Sequence, residues 1–307
     1  MTLDRQTKAA LGEYARAQRV PTHLLSPTEA RRAYAAAPDL AGPPEPVANV
    51  WDDLIPGPDS MLPARFYLPE VSLPAPILVY FHGGGWVCGG IEYVDPPLRS
   101  IANRARCGIL SVDYRLAPEH PFPAAPEDAY AATSWVAAHA RALGFDAGRI
   151  AVGGDSAGGN LATVVALMAR DRRGPPLNLQ VLVYPVTNHD FTTASYRDNA
   201  TGYLLTADSM RWYWAYYLGE ETDNGGHPYA SPLRANVVGL PPALVVTAEY
   251  DPLRDEGEAY ARHMQGAGVD VVLRRYDGLV HGFLRMAGAV RAARRALDDI
   301  AHALGRL

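Results

Sequence analysis

Lysine is nearly missing from this sequence: Lys8, in the first helical stretch, is the only one among 28 basic residues. Chemistry that needs a central lysine, as a Schiff base, in a P-loop or beside a serine in Ser-x-x-Lys, therefore has no candidate. Cysteine is almost as scarce. Cys88 and Cys107 cannot build a disulfide framework or a four-cysteine zinc site, and a reducing, cytoplasmic setting is the expectation. No histidine, cysteine and carboxylate cluster has metal-site spacing, so neither metal nor cofactor is expected and chelators should leave activity unchanged. No apolar run approaches the roughly 20 residues of a membrane span. Met1 to Ala10 lack the basic start and apolar core of a secretory leader. The net charge of −5 offers no general basic surface for nucleic acid or anionic membranes. The expected partner is a small molecule, with no nucleic acid and no membrane insertion.

What remains is ordinary globular material: 307 residues, 48% hydrophobic and 20% charged. The length allows two domains or one large α/β domain with a cap. Residues 1–46 read as mostly helical. Ser26-Pro27-Thr28-Glu29 has an N-cap serine, proline at the first helical position and glutamate at the third, and the Pro43-Pro44-Glu45-Pro46 stretch then breaks the chain. Short unbroken apolar runs follow at 77–81, 109–112, 150–152, 181–184 and 244–246, as suits strands buried on both faces. Helical stretches near 96–106, 124–143, 157–171, 254–267 and 287–304 alternate with them. That order predicts an α/β fold with a mostly parallel central sheet flanked by helices. Stretches near 47–53 and 62–68 are expected as an antiparallel edge. Residues 186–230 interrupt the alternation, and Thr206 can cap a helix running through Met210, Trp212, Tyr213, Trp214, Tyr216 and Tyr217. This reads as an insertion above the sheet.

Gly154-Asp155-Ser156-Ala157-Gly158 follows a strand and opens an apolar helix, the context that gives Gly-x-Ser-x-Gly its meaning. A sharp strand-to-helix turn presents Ser156 Oγ at the C-terminal edge of the sheet, over a helix N-terminus that favours developing negative charge. His82-Gly83-Gly84-Gly85-Trp86 follows another strand directly. Three successive glycines disfavour regular structure, so the local backbone must require them. Their amides can stabilise an oxyanion, with Gly83, Gly84 and Ala157 as the expected donors. A serine hydroxyl needs a base. His281, between a strand over 271–276 and the final helix, is placed to reach a serine at the sheet edge, whereas His82 is read as a structural hydrogen-bonder. The base needs an orienting acid. Asp251, at the end of a strand over 243–248 and before Pro252, is preferred over the adjacent Asp255 and Glu256. The chain order Ser156, Asp251, His281 fits the α/β-hydrolase arrangement. Because a neutral imidazole must take the proton, activity is expected to fall in acid.

These motifs resemble the hormone-sensitive-lipase-like α/β-hydrolases, the bacterial family IV esterases, over nearly the whole chain. His82-Gly83-Gly84-Gly85 is similar to the family's oxyanion signature and Gly154-Asp155-Ser156-Ala157-Gly158-Gly159 to its serine elbow. Tyr114-Arg115-Leu116-Ala117-Pro118-Glu119, Asp251-Pro252-Leu253 and His281-Gly282-Phe283 are similar to further family stretches. Cys88 and Gly89-Gly90 lie outside the signature. The resemblance implies a serine carboxylesterase acting on short- to medium-chain esters without a cofactor, and a possible homodimer. It also implies a helical cap built from 1–46 and about 186–230 on a catalytic domain over 47–307. Trp86, Leu205, Met210 and Tyr213 are the expected pocket walls. Arg115 and Glu119 are read as loop braces. An amidase or lactonase using the same triad, and a non-catalytic small-ligand receptor, are the alternative readings; the presence of His281 argues against the receptor.

Overall fold

The apolar runs do become the strands of one sheet in the computed structural model, which describes residues 2–17 and 20–307. Met1, Gln18 and Arg19 of the N-terminal segment lie outside the described residues. In chain order the elements are α1 (Arg5–Ala17), α2 (Pro27–Ala35), β1 (Asn49–Pro56), β2 (Met61–Leu68), β3 (Ala75–Phe81), α3 (Ile91–Ala105), β4 (Gly108–Val112), α4 (Ala124–His139), β5 (Phe145–Asp155), α5 (Ala157–Asp171), β6 (Leu179–Val183), α6 (Ala194–Asp198), α7 (Ala207–Leu218), β7 (Ala243–Tyr250), α8 (Arg254–Gly266), β8 (Val271–Val280) and α9 (Arg291–Leu304). The sheet order is β1-β2-β4-β3-β5-β6-β7-β8. β1 and β2 form the antiparallel edge and the others run parallel.

The burial pattern explains why alternation is absent from the central strands. β3, β4 and β6 are buried at every position. One face packs on α4, α5 and α8 through residues such as Val136, Leu161, Val165 and Tyr260. The other packs on α3 and α9 through Leu98, Ile101, Leu297 and Ile300, with Ala10 and Tyr14 of α1 joining that layer. Strands covered on both faces have no polar face to show. Among the described residues no helix is long and apolar enough to cross a membrane.

Register decides where the loops meet. β3 and β5 are neighbours, with Phe81 opposite Gly154. The glycine loop that leaves β3 and the serine turn that leaves β5 therefore emerge side by side. At the far end of the sheet Tyr250 of β7 lies opposite Val280 of β8, so Asp251 and His281 are next in line on adjacent strands. Strand order reverses at β3, which lies between β4 and β5, and the C-terminal edge at such a reversal is where α/β sheets hold ligands.

The predicted caps form as read. Ser26 and Glu29 make a reciprocal capping box, and Thr206 Oγ1 accepts from the Ser209 amide at 3.1 Å. Three helices differ in extent from expectation by four residues or more: α4 ends at His139 rather than 143, α9 starts at Arg291 rather than 287, and α3 differs most. α3 begins at Ile91, five residues before the expected start, and carries Pro96 and Pro97 inside it. Two interior prolines forgo backbone hydrogen bonds. Burial of Val94, Leu98, Ile101 and Ala105 in the same apolar layer as α9 outweighs that loss.

Arg31 of α2 ties the N-terminal segment to the body. Its guanidinium donates to the carbonyls of Val87 and Ala117 and pairs with Glu119. Arg115 grips Asp128 through both nitrogens of its fork and also reaches Asp59. Both expected braces are thus ion-paired loop contacts.

Candidate active site

The serine turn is built by crowding. Ser156 stands between β5 and α5 at φ 58° and ψ −118°, a conformation L-residues avoid. A Cβ on Gly158 would run into the Phe81 carbonyl, and one on Gly154 into the Gly158 backbone. Only glycine lets strand and helix approach this closely. The Ser156 amide donates to the Val183 carbonyl at 2.9 Å, which pins the strained residue from the neighbouring strand.

His281 and Asp251 complete a continuous line. His281 Nε2 lies 3.0 Å from Ser156 Oγ, and its Nδ1 lies 2.8 Å from Asp251 Oδ2. A carboxylate only accepts, so Nδ1 carries the hydrogen and Nε2 is left to accept from the serine hydroxyl. Asp251 is fully buried. Its second oxygen accepts from the Leu253 amide at 2.8 Å, which fixes the carboxylate plane. The His281 ring rests against Tyr184 with ring centres 4.6 Å apart. The rivals of Asp251 are engaged elsewhere: Asp255 accepts from the Ser195 amide and pairs with Arg254, and Glu256 accepts from the amides of Thr187 and Asn188.

The glycine loop corrects one expected donor. The Gly83 amide donates to Asp155 Oδ1 at 3.0 Å, so it is not free to meet a substrate oxygen. The same carboxylate oxygen accepts from the Tyr80 hydroxyl at 2.9 Å, and a Cβ on Gly83 would press on Asp155. Gly83 is a packing glycine that locks the loop to the serine turn. Gly84 and Gly85, at φ 120° and 61°, line the cavity beside Ser156. Among the described residues the amides of Gly84, Gly85 and Ala157 have no protein acceptor. His82 plays the structural part expected of it: Nδ1 meets the Gly83 carbonyl at 2.8 Å and the ring stacks on Tyr114.

The cavity over Ser156 measures about 110 Å³. Leu205, Met210 and Tyr213 line it. Trp86 does not. At φ 59° the chain turns its side chain away from the cavity, where it is fully buried and stacked on Tyr217 at 3.9 Å between ring centres. Tyr14 and Tyr34 from the first two helices, Leu204, Ser209 and Arg285 line the cavity and were not singled out from sequence. Helical periodicity at Tyr14 and Tyr34 signals a packed face but not what it faces. Cys88 lies behind the loop, where burial pushes its thiol up to about 12, which makes it an inert neighbour.

Glu256, beside Asp251 and fully buried, has one oxygen without a partner among the described residues. Burial pushes its pKa well above the carboxylate range; the Thr187 and Asn188 amides oppose this, and Asp251 and Asp190 add to it. The folded chain therefore holds a proton that the unfolded chain releases. The stability that Glu256 contributes is full below the unfolded pKa and is lost as pH rises toward the folded one. Melting temperatures measured from about pH 4 to 8 should show Glu256→Gln gaining on wild type as pH rises. A difference that stays flat with pH would contradict a proton at this site.

A serine, a histidine and a buried aspartate in this chain order, at the C-terminal edge of a parallel sheet, define a serine hydrolase of the α/β type. Residues 78–285 match the family described as alpha/beta hydrolase fold. Esterase LipI of Mycobacterium tuberculosis is 45% identical over 260 residues, covering 83% of this chain and 81% of LipI. The ethyl acetate hydrolase of Pseudomonas putida is 38% identical over 294 residues, covering 93% and 92%. Among solved structures, the hyperthermophilic esterase of Pyrobaculum calidifontis matches with a TM-score of 0.93 at 41% identity, covering 100% of this chain and 99% of that one. The chain belongs to the α/β-hydrolase fold family, in its hormone-sensitive-lipase-like branch of esterases.

Proposed function

We propose that this chain, a carboxylic ester hydrolase, cleaves short- to medium-chain esters of small molecules through an acyl-enzyme on Ser156. The observation that carries the reading is the unbroken hydrogen-bonded line from Asp251 through His281 to Ser156 Oγ, at 2.8 and 3.0 Å. His281 takes the serine proton as Oγ attacks the carbonyl carbon, and Asp251 stabilises the imidazolium that forms. The amides of Gly84, Gly85 and Ala157 receive the developing oxyanion. His281 then protonates the leaving alcohol, and water, activated by the same base, releases the acid. Residues 1–46 and about 186–230 act as the cap, since Tyr14, Tyr34, Leu205, Met210 and Tyr213 all reach the cavity wall. The homodimer that the family resemblance implies also belongs to this reading.

The small cavity sets the acyl range. Drug-sized pockets run from about 300 Å³ upward, and this one is well below that. Each methylene buried before the cavity ends gains about 0.8 kcal/mol, roughly fourfold in kcat/KM. With one alcohol held constant, kcat/KM should climb over the first carbons and fall beyond about eight. A maximum at long acyl chains, with activation when substrate forms droplets, would refute a closed acyl pocket. Matched ester, amide and lactone substrates in the same assay separate an esterase from an amidase or lactonase.

A further inference from the structure

Arg285 is a cation on the wall of the reaction cavity that the hydrolytic mechanism does not use. It lies in the short turn Phe283–Met286, directly after His281-Gly282, and lines the cavity together with Ser156 and His281. Its guanidinium sits over two ring faces, 5.0 Å from the centre of Tyr34 and 4.8 Å from that of Tyr93. Among the described residues no carboxylate is within ion-pair distance of it. The other half-buried arginines contrast with this: Arg65 pairs with Asp52 and Asp95, Arg115 with Asp128 and Asp59, and Arg254 with Asp255. The acid that shares the cavity, Asp155, spends Oδ1 on the Tyr80 hydroxyl and the Gly83 amide and stands beyond pairing range.

Withdrawing a cation from water without a counter-charge is costly, and two aromatic faces offset only part of that cost. They do fix the plane of the fork. Burial opposes the charge, but the net shift is upward, and an arginine side chain stays protonated throughout the working pH range. Elsewhere the cavity wall mixes apolar side chains, Leu204, Leu205, Met210 and the Tyr213 ring, with polar Thr22, Ser209 and Asp155. A fixed, protonated fork on such a wall matches a carboxylate, which accepts two parallel hydrogen bonds from it.

We propose that Arg285 is a specificity residue and that the preferred substrates are esters carrying a free carboxylate, either on the acyl half, as in monoesters of dicarboxylic acids, or on the alcohol half, as in acyl esters of hydroxy acids. The inference rests on the esterase reading above. A charged hydrogen-bonded contact of this kind corresponds to about ten- to a hundredfold in kcat/KM.

The test compares monoethyl succinate, glutarate and adipate with neutral ethyl esters of equal length, and acetyl esters of ω-hydroxy acids with neutral alkyl acetates. Wild type should favour the anionic member of at least one series by about tenfold or more, and the series that responds identifies the half that carries the carboxylate. Arg285→Met should collapse that ratio by a similar factor, chiefly through KM, and Arg285→Lys should restore part of it. Wild type rejecting every anionic ester while hydrolysing the neutral ones overturns the proposal and leaves the esterase reading standing. So does Arg285→Met lowering both members equally. If Arg285→Met does not fold, the wild-type ratio and Arg285→Lys decide. Failure on all esters, neutral ones included, is failure of the esterase reading and takes this proposal with it.

Discussion

Ser156→Ala should lower kcat on a short-chain ester by about 10⁴-fold or more while the fold is retained. The substitution removes one oxygen. Alanine inherits the backbone at φ 58°, whose strain is already carried by crowding at Gly154 and Gly158 and by the Ser156 amide bond to Val183. The remaining activity is what oriented amides and binding can supply to water alone. His281→Ala should cost about as much, because a hydroxyl without its base is a weak nucleophile. The double substitution should be little worse than either single one, since the two side chains act as a unit. Steady-state kinetics on an ethyl ester, with circular dichroism to check folding, reads both. Near wild-type turnover by folded Ser156→Ala would remove the nucleophile from the account.

Asp251→Asn should lower kcat by about 10³- to 10⁴-fold. The reason lies in the second oxygen. Oδ1 accepts from the Leu253 amide at 2.8 Å, so the asparagine carbonyl is held there and its NH₂ is turned toward His281. Nδ1 must then accept, which places the ring hydrogen on Nε2, facing Ser156 Oγ. A histidine in that tautomer cannot take the serine proton. Asp255→Asn should leave kcat within a few-fold of wild type, because Asp255 serves the Ser195 amide and Arg254 rather than the base. If Asp255→Asn is the damaging change and Asp251→Asn is silent, the orienting acid has been misassigned.

Much of this was legible in the sequence because the features are local. A strand that must be buried on both faces is written as an unbroken apolar run, and β3, β4 and β6 were found that way. The elbow needs small residues at fixed spacing around Ser156, and the ends of β7 and β8 put Asp251 and His281 at their stations. Gly83 failed because the sequence shows three glycines without showing that the first is held by Asp155, 72 positions away. Trp86 differs for a related reason: its place beside the site loop suggests a wall residue, whereas a positive φ directs it into the packing around Trp214 and Tyr217. α3 starts five residues before the stretch that the sequence marks, because packing in the same apolar layer as α9 keeps Pro96 and Pro97 inside the helix. Arg285 and Tyr34 lie some 250 residues apart and their pairing exists only once the N-terminal helices fold over the cavity.

Trapping the covalent intermediate tests Ser156 as the nucleophile. The chain is mixed with excess 4-nitrophenyl acetate, quenched in acid within the first turnover, digested and mapped by mass spectrometry. One acetyl group per chain is expected, carried on Ser156, and none on the Ser156→Ala variant treated in the same way. Acetylation of another side chain at full occupancy, or turnover without any acyl-enzyme on Ser156 while nitrophenol is released in a burst, would contradict that role.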